Sequence, residues 1–310
     1  MFGARITWPD LPDHVRSAVE DILGSPVVTA ESQNGGFSPG TADRVVTVSG
    51  DRAFVKAVSP EQNPRSAEMA RTEALVSAVL PAAAPTPHLI GTFDDGYWMV
   101  LVLEDIEGRH PRTPWEEAEI DTAVRTLKDL AETLTPCPLP DARSAADLLG
   151  DDFDGWRRIA ADSPADLDPI YAACLEKLIT ASDRAVASLH GDTLVHCDIR
   201  ADNMLVRPDG SMVIVDWPWG CAGPRWLDTA LLAMNVLVYG GDGDAVLPEP
   251  GVDLVVAVAG YFLDQSRQPP PPGLPTVRAF QRWQADALAP WLRHHLGAAA
   301  HPREPGNSAD

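Results

Sequence analysis

The chain has 310 residues, 45% of them hydrophobic and 22% charged, a composition typical of a soluble globular protein with one large domain or two smaller ones. Its 45 acidic residues outnumber 24 basic ones, and the net charge is -21. Because nucleic acids and anionic lipids both select basic protein surfaces, we expect neither a nucleic-acid partner nor a membrane partner.

The first hundred residues favour short strands and one long helix. A first helix is predicted over Asp10 to Leu23, with Asp10 as its N-cap. Strands are predicted at 27–32, as a hairpin around Gly50-Asp51, and as a second pair around Asp94-Asp95-Gly96. The long helix, 64–81, has proline at both ends. The pattern predicts an antiparallel sheet with one key helix.

Helical periodicity dominates after Glu104. The predicted helices span residues 114–134, 168–189, 226–239, 252–265 and 276–296. A compact strand-loop-strand segment, 194–217, interrupts them. We therefore predict an α+β fold with three parts, namely a β-rich lobe over 1–103, a helical lobe over 104–297 and a disordered tail over 298–310.

Targeting and redox signals are weak. The N-terminus lacks the apolar region of a signal peptide, and the longest apolar run, Leu254 to Leu263, is about half the length of a membrane helix. The four cysteines form no CxxC pair and no zinc spacing. A cytoplasmic location is the simplest expectation.

The strongest chemical signal is LVHCDIRADNMLV followed by MVIVDW. It contains the pattern H-x-D-x4-N, which composition alone would produce about 0.01 times in such a chain. A carboxylate at the end of an apolar strand follows the pattern. Phosphoryl transfer needs a carboxylate that orients the acceptor hydroxyl, and an amide oxygen and a second carboxylate that hold Mg2+. Asp198 suits the first role, and Asn203 and Asp216 suit the metal roles.

These segments resemble the catalytic and metal loops of the aminoglycoside phosphotransferase family, including its choline-kinase-like relatives. The resemblance implies a bilobal protein-kinase-like fold and covers most of the chain. It places Lys56 of RAFVKAV on the third strand as a phosphate clamp, with Glu73 of TEALVSAVL as its ion-pair partner. Glu68 is the fallback partner.

The resemblance implies further roles with less sequence support. The main chain of Glu104 and Ile106 would contact adenine. In GPRWLDTALL, Asp228 would brace the catalytic loop, and His196 is interpreted as an architectural hydrogen-bonding residue. Arg200 follows Asp198 by two positions and either stabilises the transferring phosphoryl group or pairs only with an acid such as Asp202.

Two positions depart from the family pattern. The predicted nucleotide loop NGGFSPG is not G-x-G-x-x-G, although Gly35, Gly36 and Gly40 permit close backbone approach and Ser38 is placed to reach a phosphate. Cys197 replaces the commoner glycine and is assigned no chemistry. GFSPG also matches the hydrolase pattern G-x-S-x-G, but a strand follows it where that motif requires a helix.

We therefore expect a kinase that uses ATP or GTP with Mg2+ and phosphorylates a hydroxyl of a small, aminoglycoside- or other antibiotic-like acceptor, acting as a monomer or homodimer. Most of the acidic excess lies after residue 103, which favours a cationic acceptor and is also explained by solubility. Other readings are a non-catalytic pseudokinase scaffold and a metabolic choline- or sugar-type kinase. A protein kinase is disfavoured because D-F-G and A-P-E are absent.

Overall fold

The computed structural model describes residues 5–33, 39–162 and 164–298. The fold is mixed, with a five-stranded antiparallel sheet in the N-terminal part and mainly helices after it. The strands are β1 (Val27–Ser32), β2 (Thr41–Thr47), β3 (Arg52–Val58), β4 (Leu89–Asp94) and β5 (Met99–Glu104). They lie in the order β1-β2-β3-β5-β4. The two predicted hairpins are therefore the neighbouring pairs β2–β3 and β4–β5, and β3 pairs with β5 to join them in one sheet.

Strands β2 and β3 are paired from the first residue of β2. Thr41 lies opposite Ala57, and Ala42 opposite Lys56. A Cβ on Gly40 would lie 2.4 Å from the Ala57 carbonyl oxygen, so only glycine allows this approach just before the strand. The register directs Lys56 and its alternate neighbours to the opposite sheet face from Val55 and Ala57, which are buried.

The first helix, α1 (Asp13–Leu23), begins three residues later than predicted. Asp10 is not its N-cap, because the Asp10 carboxylate accepts hydrogen bonds from the backbone and hydroxyl of Thr7 in a preceding 3-10 turn. The buried side chains Val15 and Val19 of α1 pack with Val55 and Val100 on one face of the sheet. That face is therefore sealed by α1, and the opposite face is left to the second helix and the cleft.

The second helix, α2 (Pro64–Val79), links the two parts of the molecule. Asn63 caps it by accepting from Ser66 N–H at 2.8 Å, and the Asn63 amide donates to the Pro272 carbonyl at 2.9 Å. Glu73 is buried on α2, while Val76 packs into the core of the helical lobe. Attachment at both ends fixes the helix that carries Glu73.

The helical lobe has seven further helices in the described part of the chain. They are α3 (Glu117–Thr133), α4 (Ala145–Leu149), α5 (Gly155–Asp162), α6 (Pro169–Ala187), α7 (Leu227–Val238), α8 (Gly251–Gln265) and α9 (Val277–Ala298). The sequence patterns missed α4 and α5, which are short. Helices α5 and α8 cross closely because Gly155 lies against Gly260, where a Cβ would approach the partner backbone to 2.5 Å.

Short strands surround the predicted catalytic segment. β6 (Thr193–Val195) pairs with β9 (Cys221–Gly223), which the sequence patterns missed, and β7 (Met204–Val206) pairs with β8 (Met212–Ile214). The predicted tail, 298–310, lies outside the described residues except for Ala298, the last residue of α9. Among the described helices, none is both long and apolar enough to span a bilayer.

Candidate active site

The cleft between sheet and helices contains a three-residue ion cluster. Lys56 Nζ, on β3, lies 2.7 Å from Glu73 Oε1 on α2 and 2.6 Å from Asp216 Oδ1 just after β8. Glu73 is 4% exposed, whereas Glu68 faces solvent. The structure therefore brings Lys56, Glu73 and Asp216 together and leaves Glu68 outside.

Burial and mutual attraction act in opposite directions on these three groups. Burial alone would lower the pKa of Lys56, but the carboxylates of Asp216 and Glu73 outweigh it and hold that pKa above its ordinary value. Burial raises the pKa of Glu73, and Lys56 offsets only part of that rise. Burial also acts to raise the pKa of Asp216, but the neighbouring Lys56 outweighs burial and the pKa is lowered. Lys56 and Asp216 are thus held as a charged pair.

The backbone of the predicted catalytic segment, residues 196–203, is held by Asp228 on α7. Asp228 Oδ2 accepts from His196 N–H at 2.8 Å, and Oδ1 accepts from Cys197 N–H at 3.0 Å. Burial raises the pKa of Asp228, and the His196 imidazole and these two N–H groups act against the rise. Cys197 has a φ of 64°, in the left-handed region that favours glycine, so the positions of these two N–H groups depend on an unusual backbone turn.

His196 links the same segment to Val215, the residue between β8 and Asp216. Its Nδ1 accepts from Asp198 N–H at 3.1 Å, so the proton is on Nε2, which lies 3.0 Å from the Val215 carbonyl oxygen. The ring also meets Trp217 edge-on at 4.8 Å. His196 therefore joins the backbone of Asp198 to that of Val215, and both of its ring nitrogens are used in doing so.

The Asp198 carboxylate has one partner on each oxygen. Asn203 Nδ2 donates to Asp198 Oδ2 at 3.0 Å and to the Asp198 carbonyl at 2.8 Å. Arg200 Nη1 lies 3.4 Å from Asp198 Oδ1. These contacts orient the carboxylate, and 27% of its side chain is exposed, so solvent or a substrate can reach it.

Arg200 is shared between two carboxylates. Its Nη2 and Nε donate to the two oxygens of Asp202 at 2.6 and 2.9 Å, in addition to the longer contact with Asp198. Burial would lower the pKa of Arg200, but Asp198 and Asp202 more than reverse it, so its pKa is raised and the group stays cationic. Both roles considered for Arg200 are therefore compatible with its position.

Two supporting residues had no signal in the sequence patterns. Asn235, 3% exposed on α7, accepts on Oδ1 from Ala201 N–H at 3.2 Å and from Trp115 Nε1 at 3.0 Å. Trp217 is buried after Asp216, and its backbone N–H lies 3.4 Å from Glu73 Oε1. The only local hint is Asn235 itself, a polar residue inside the apolar helix LDTALLAMNVLV. The contacts of Asn235 and Trp217 join residues far apart in the sequence, so short patterns do not report them.

The predicted adenine segment follows β5 directly. The Ile106 carbonyl accepts from Arg44 Nη2 at 2.6 Å, while Arg44 and Arg52 both bind Asp105, whose side chain is buried. Ile106 N–H has no acceptor among residues 5–33, 39–162 and 164–298. The Ile106 amide is therefore available to donate to a base. The loop residues Gly35, Gly36 and Ser38 lie outside the described residues.

The donor set at the end of β8 suits a hard divalent cation. Asn203 uses its amide nitrogen on Asp198, which leaves Oδ1 without a partner in the described part of the chain, and Asp216 Oδ2 is likewise unused. No cluster of three or more His, Cys, Asp or Glu side chains suited to a metal occurs in that part. Mg2+ held by Asn203 and Asp216 would need phosphate oxygens and water as its other ligands, as is typical of nucleotide sites.

Comparisons with known proteins bear on this site. The family model described as the phosphotransferase enzyme family matches residues 34–250. None of the curated proteins matches the chain. An aminoglycoside phosphotransferase from Alicyclobacillus acidocaldarius is similar in structure, with 16% identity, a TM-score of 0.52, and 95% of this chain and 99% of that chain covered.

Two further solved structures show the same fold. One is a thermostable mutant of an aminoglycoside phosphotransferase in ternary complex with ADP and hygromycin B, at 13% identity and a TM-score of 0.59, covering 93% of this chain and 99% of that chain. The other is a choline kinase from Streptococcus pneumoniae, at 13% identity and a TM-score of 0.58, with 93% and 98% covered. Since the family model spans more than half of the sequence, the chain belongs to the phosphotransferase enzyme family and is a kinase-type enzyme.

Proposed function

We propose that this enzyme transfers the γ-phosphate of ATP or GTP to a hydroxyl group of a small, aminoglycoside- or other antibiotic-like acceptor. The observation that carries the proposal is the joint placement of Asp198, Asn203 and the Lys56–Asp216 pair in one cleft. These are the groups that phosphoryl transfer requires, since the chemistry depends mainly on positioning and charge stabilisation.

Asp198 is assigned as the residue that orients the acceptor hydroxyl. Its carboxylate is fixed by Asn203 and is reached by Arg200, so an incoming hydroxyl can donate to an oxygen whose direction is already set. The hydroxyl proton passes to Asp198 as the oxygen attacks the γ-phosphorus and the bond to the β-phosphate oxygen breaks. Arg200 is assigned to the negative charge that develops on the phosphoryl group.

Lys56 is assigned to the α- and β-phosphates, with Glu73 holding its ammonium group in place. Mg2+, when bound, supplies positive charge to the phosphate oxygens. Asn203 Oδ1 and Asp216 are the side chains that would hold it. The adenine or guanine base is assigned to the backbone of Glu104 and the free amide of Ile106.

The fold neighbours support a small hydroxyl-bearing acceptor, since their described ligand and activity are hygromycin B and choline phosphorylation respectively. The acidic excess of the helical part favours a cationic acceptor within that class. Inactivation of an antibiotic by phosphorylation is the role that we propose for this chain.

The test compares Asp198→Ala with Asp121→Ala, an exposed carboxylate on α3. Acceptor-dependent ADP release is measured over aminoglycosides, macrolides, amino alcohols and sugars, and Mg-ATP binding is measured by calorimetry. We expect Asp198→Ala to lose at least about 100-fold in kcat with nucleotide affinity largely unchanged, and Asp121→Ala to match the parent. Undiminished turnover by Asp198→Ala, or binding of nucleotide without turnover of any acceptor, would refute the proposal.

A further inference from the structure

An aromatic stack begins at the catalytic segment and ends at the surface. The Arg200 guanidinium lies 5.7 Å from the centre of the Phe280 ring. Phe280 stacks on Trp283 at 5.6 Å with an interplanar angle of 28°, and Trp283 meets Tyr239 edge-on at 5.3 Å. Each step is short enough for direct contact, so the stack is continuous from the neighbour of Asp198 to the outer ring.

The outer end of the stack is open. Trp283 is 41% exposed although Phe280 and Tyr239 contact two of its sides, whereas Arg200 at the inner end is mostly buried. Tyr239 directly follows α7 and Trp283 lies on α9, so two different elements hold the indole ring. An indole fixed in this way loses little conformational freedom when a ligand covers it.

The position of the stack links it to the acceptor. Asp198 and Arg200 lie at its inner end, where the proposed function places the reacting hydroxyl. The nucleotide is assigned to Lys56 and Asp216, in contact with the sheet and α2. The aromatic rings come instead from the last helix and from the end of α7, which leaves them to the acceptor.

Resting on the proposed function, we propose that Trp283 is an acceptor-binding residue that selects acceptors of two or more rings, by stacking against the apolar face of a ring remote from the reacting hydroxyl. An acceptor bound at Asp198 must pass the full Phe280 ring before it meets Trp283. A single sugar ring or a choline-sized molecule spans about one step of the stack and therefore ends at Phe280. Aromatic faces bind the apolar faces of sugar rings and also attract attached ammonium groups.

The experiment uses the full-length enzyme with Trp283→Ala, Trp283→Phe and, as the matched control, Tyr97→Ala, an exposed aromatic residue of the β4–β5 turn. Hygromycin B, erythromycin and maltotriose are the extended probes, and choline and glucose are the single-unit probes. Steady-state kinetics give KM for each accepted probe and for Mg-ATP, and a melting curve verifies the fold of each variant.

We expect the parent to phosphorylate at least one extended probe, and Trp283→Ala to raise KM for that probe by about 3- to 10-fold with kcat changed less than twofold. Trp283→Phe recovers most of the loss, while Tyr97→Ala and the KM for Mg-ATP stay at parent values. An unchanged KM in Trp283→Ala, or an equal rise for single-unit probes, overturns the inference. If only choline or glucose is phosphorylated, the inference about Trp283 is wrong, but the enzyme is still a phosphotransferase. If no probe is phosphorylated, both the proposed acceptor class and the inference are wrong.

Discussion

Asp228 offers the sharpest test of how the helical part positions the catalytic segment. Its two oxygens accept the backbone N–H groups of His196 and Cys197, which immediately precede Asp198. His196 is fully buried, and Asp228 is 7% exposed, so water cannot readily replace the lost acceptor. Substitution by alanine leaves two backbone donors unpaired, and substitution by asparagine leaves one donor facing an NH2 group.

The magnitudes follow from the cost of an unpaired buried donor, about 1–3 kcal/mol each. We expect Asp228→Ala to lower the free energy of unfolding by about 3–5 kcal/mol and Asp228→Asn by about 1–3 kcal/mol. Because the freed segment carries Asp198, the proposed catalytic carboxylate, kcat should fall by about 100-fold in Asp228→Ala, the loss that a displacement near 1 Å can cause. Affinity for the nucleotide should change little, since Lys56 and Glu73 are on other elements.

Urea unfolding measures the stability loss, and turnover is measured well below the melting temperature of each variant. Asp286→Ala, which removes one partner of an exposed ion pair on α9, is the control and should cost less than about 0.5 kcal/mol. A loss in Asp228→Ala no larger than that of the control would refute the assignment of two buried hydrogen bonds. A parallel loss of nucleotide affinity would show that Asp228 supports the whole cleft instead of the catalytic segment.

Two further predictions concern the ion pairs of the cleft. Lys56→Met should weaken Mg-ATP binding by about 10- to 100-fold in calorimetry, because one charge-assisted contact is lost. The control Lys128→Met, on the exposed face of α3, should have no effect. Equal affinities for both variants would contradict the phosphate-clamp role of Lys56. Burial acts to raise the pKa of Asp202, but the contacts with Arg200 outweigh it and the pKa is lowered. The stability that this pair contributes is therefore present above the unfolded-state pKa near 4 and is lost as the pH falls through the lower folded-state pKa. The difference in urea stability between the parent and Asp202→Asn should therefore be full at pH 7 and shrink below about pH 4, and a difference that does not vary with pH would contradict it.

The sequence patterns located the elements whose signals are local. Period-two alternation and Gly50-Asp51 sufficed for the β2–β3 hairpin, and the proline that opens α2 marked its start. They failed where a local signal was satisfied elsewhere, as at Asp10, whose carboxylate binds Thr7 instead of capping α1. Strand β9 was missed because its sequence, Cys-Ala-Gly, lacks the apolar run that marks the equally short β7 and β8.

The residues predicted for the site are those whose chemistry is written into a short motif, such as Asp198, Asn203 and Asp216. The residues that hold them in place had no comparable signature, because each acts across a long stretch of sequence. Asn235 binds Ala201 from α7, and Arg44 reaches Ile106 from β2. Only the folded chain shows that Arg44 binds the carbonyl of Ile106, one of the two residues whose main chain is expected to contact adenine.

The charges of the cleft also explain why a cation suits this site. Lys56 faces both Glu73 and Asp216, and Arg200 faces both Asp198 and Asp202, so each cation is outnumbered by carboxylates. A nucleoside triphosphate that bound without a metal ion would add negative charge beside Asp216 and Asp198. A divalent cation held by the unused oxygens of Asn203 and Asp216 would offset that charge. Lys56 would then contact the phosphates, and Glu73 would hold its ammonium group in place. The same residues that give the cleft its negative charge would therefore make nucleotide binding depend on the metal that we propose they hold.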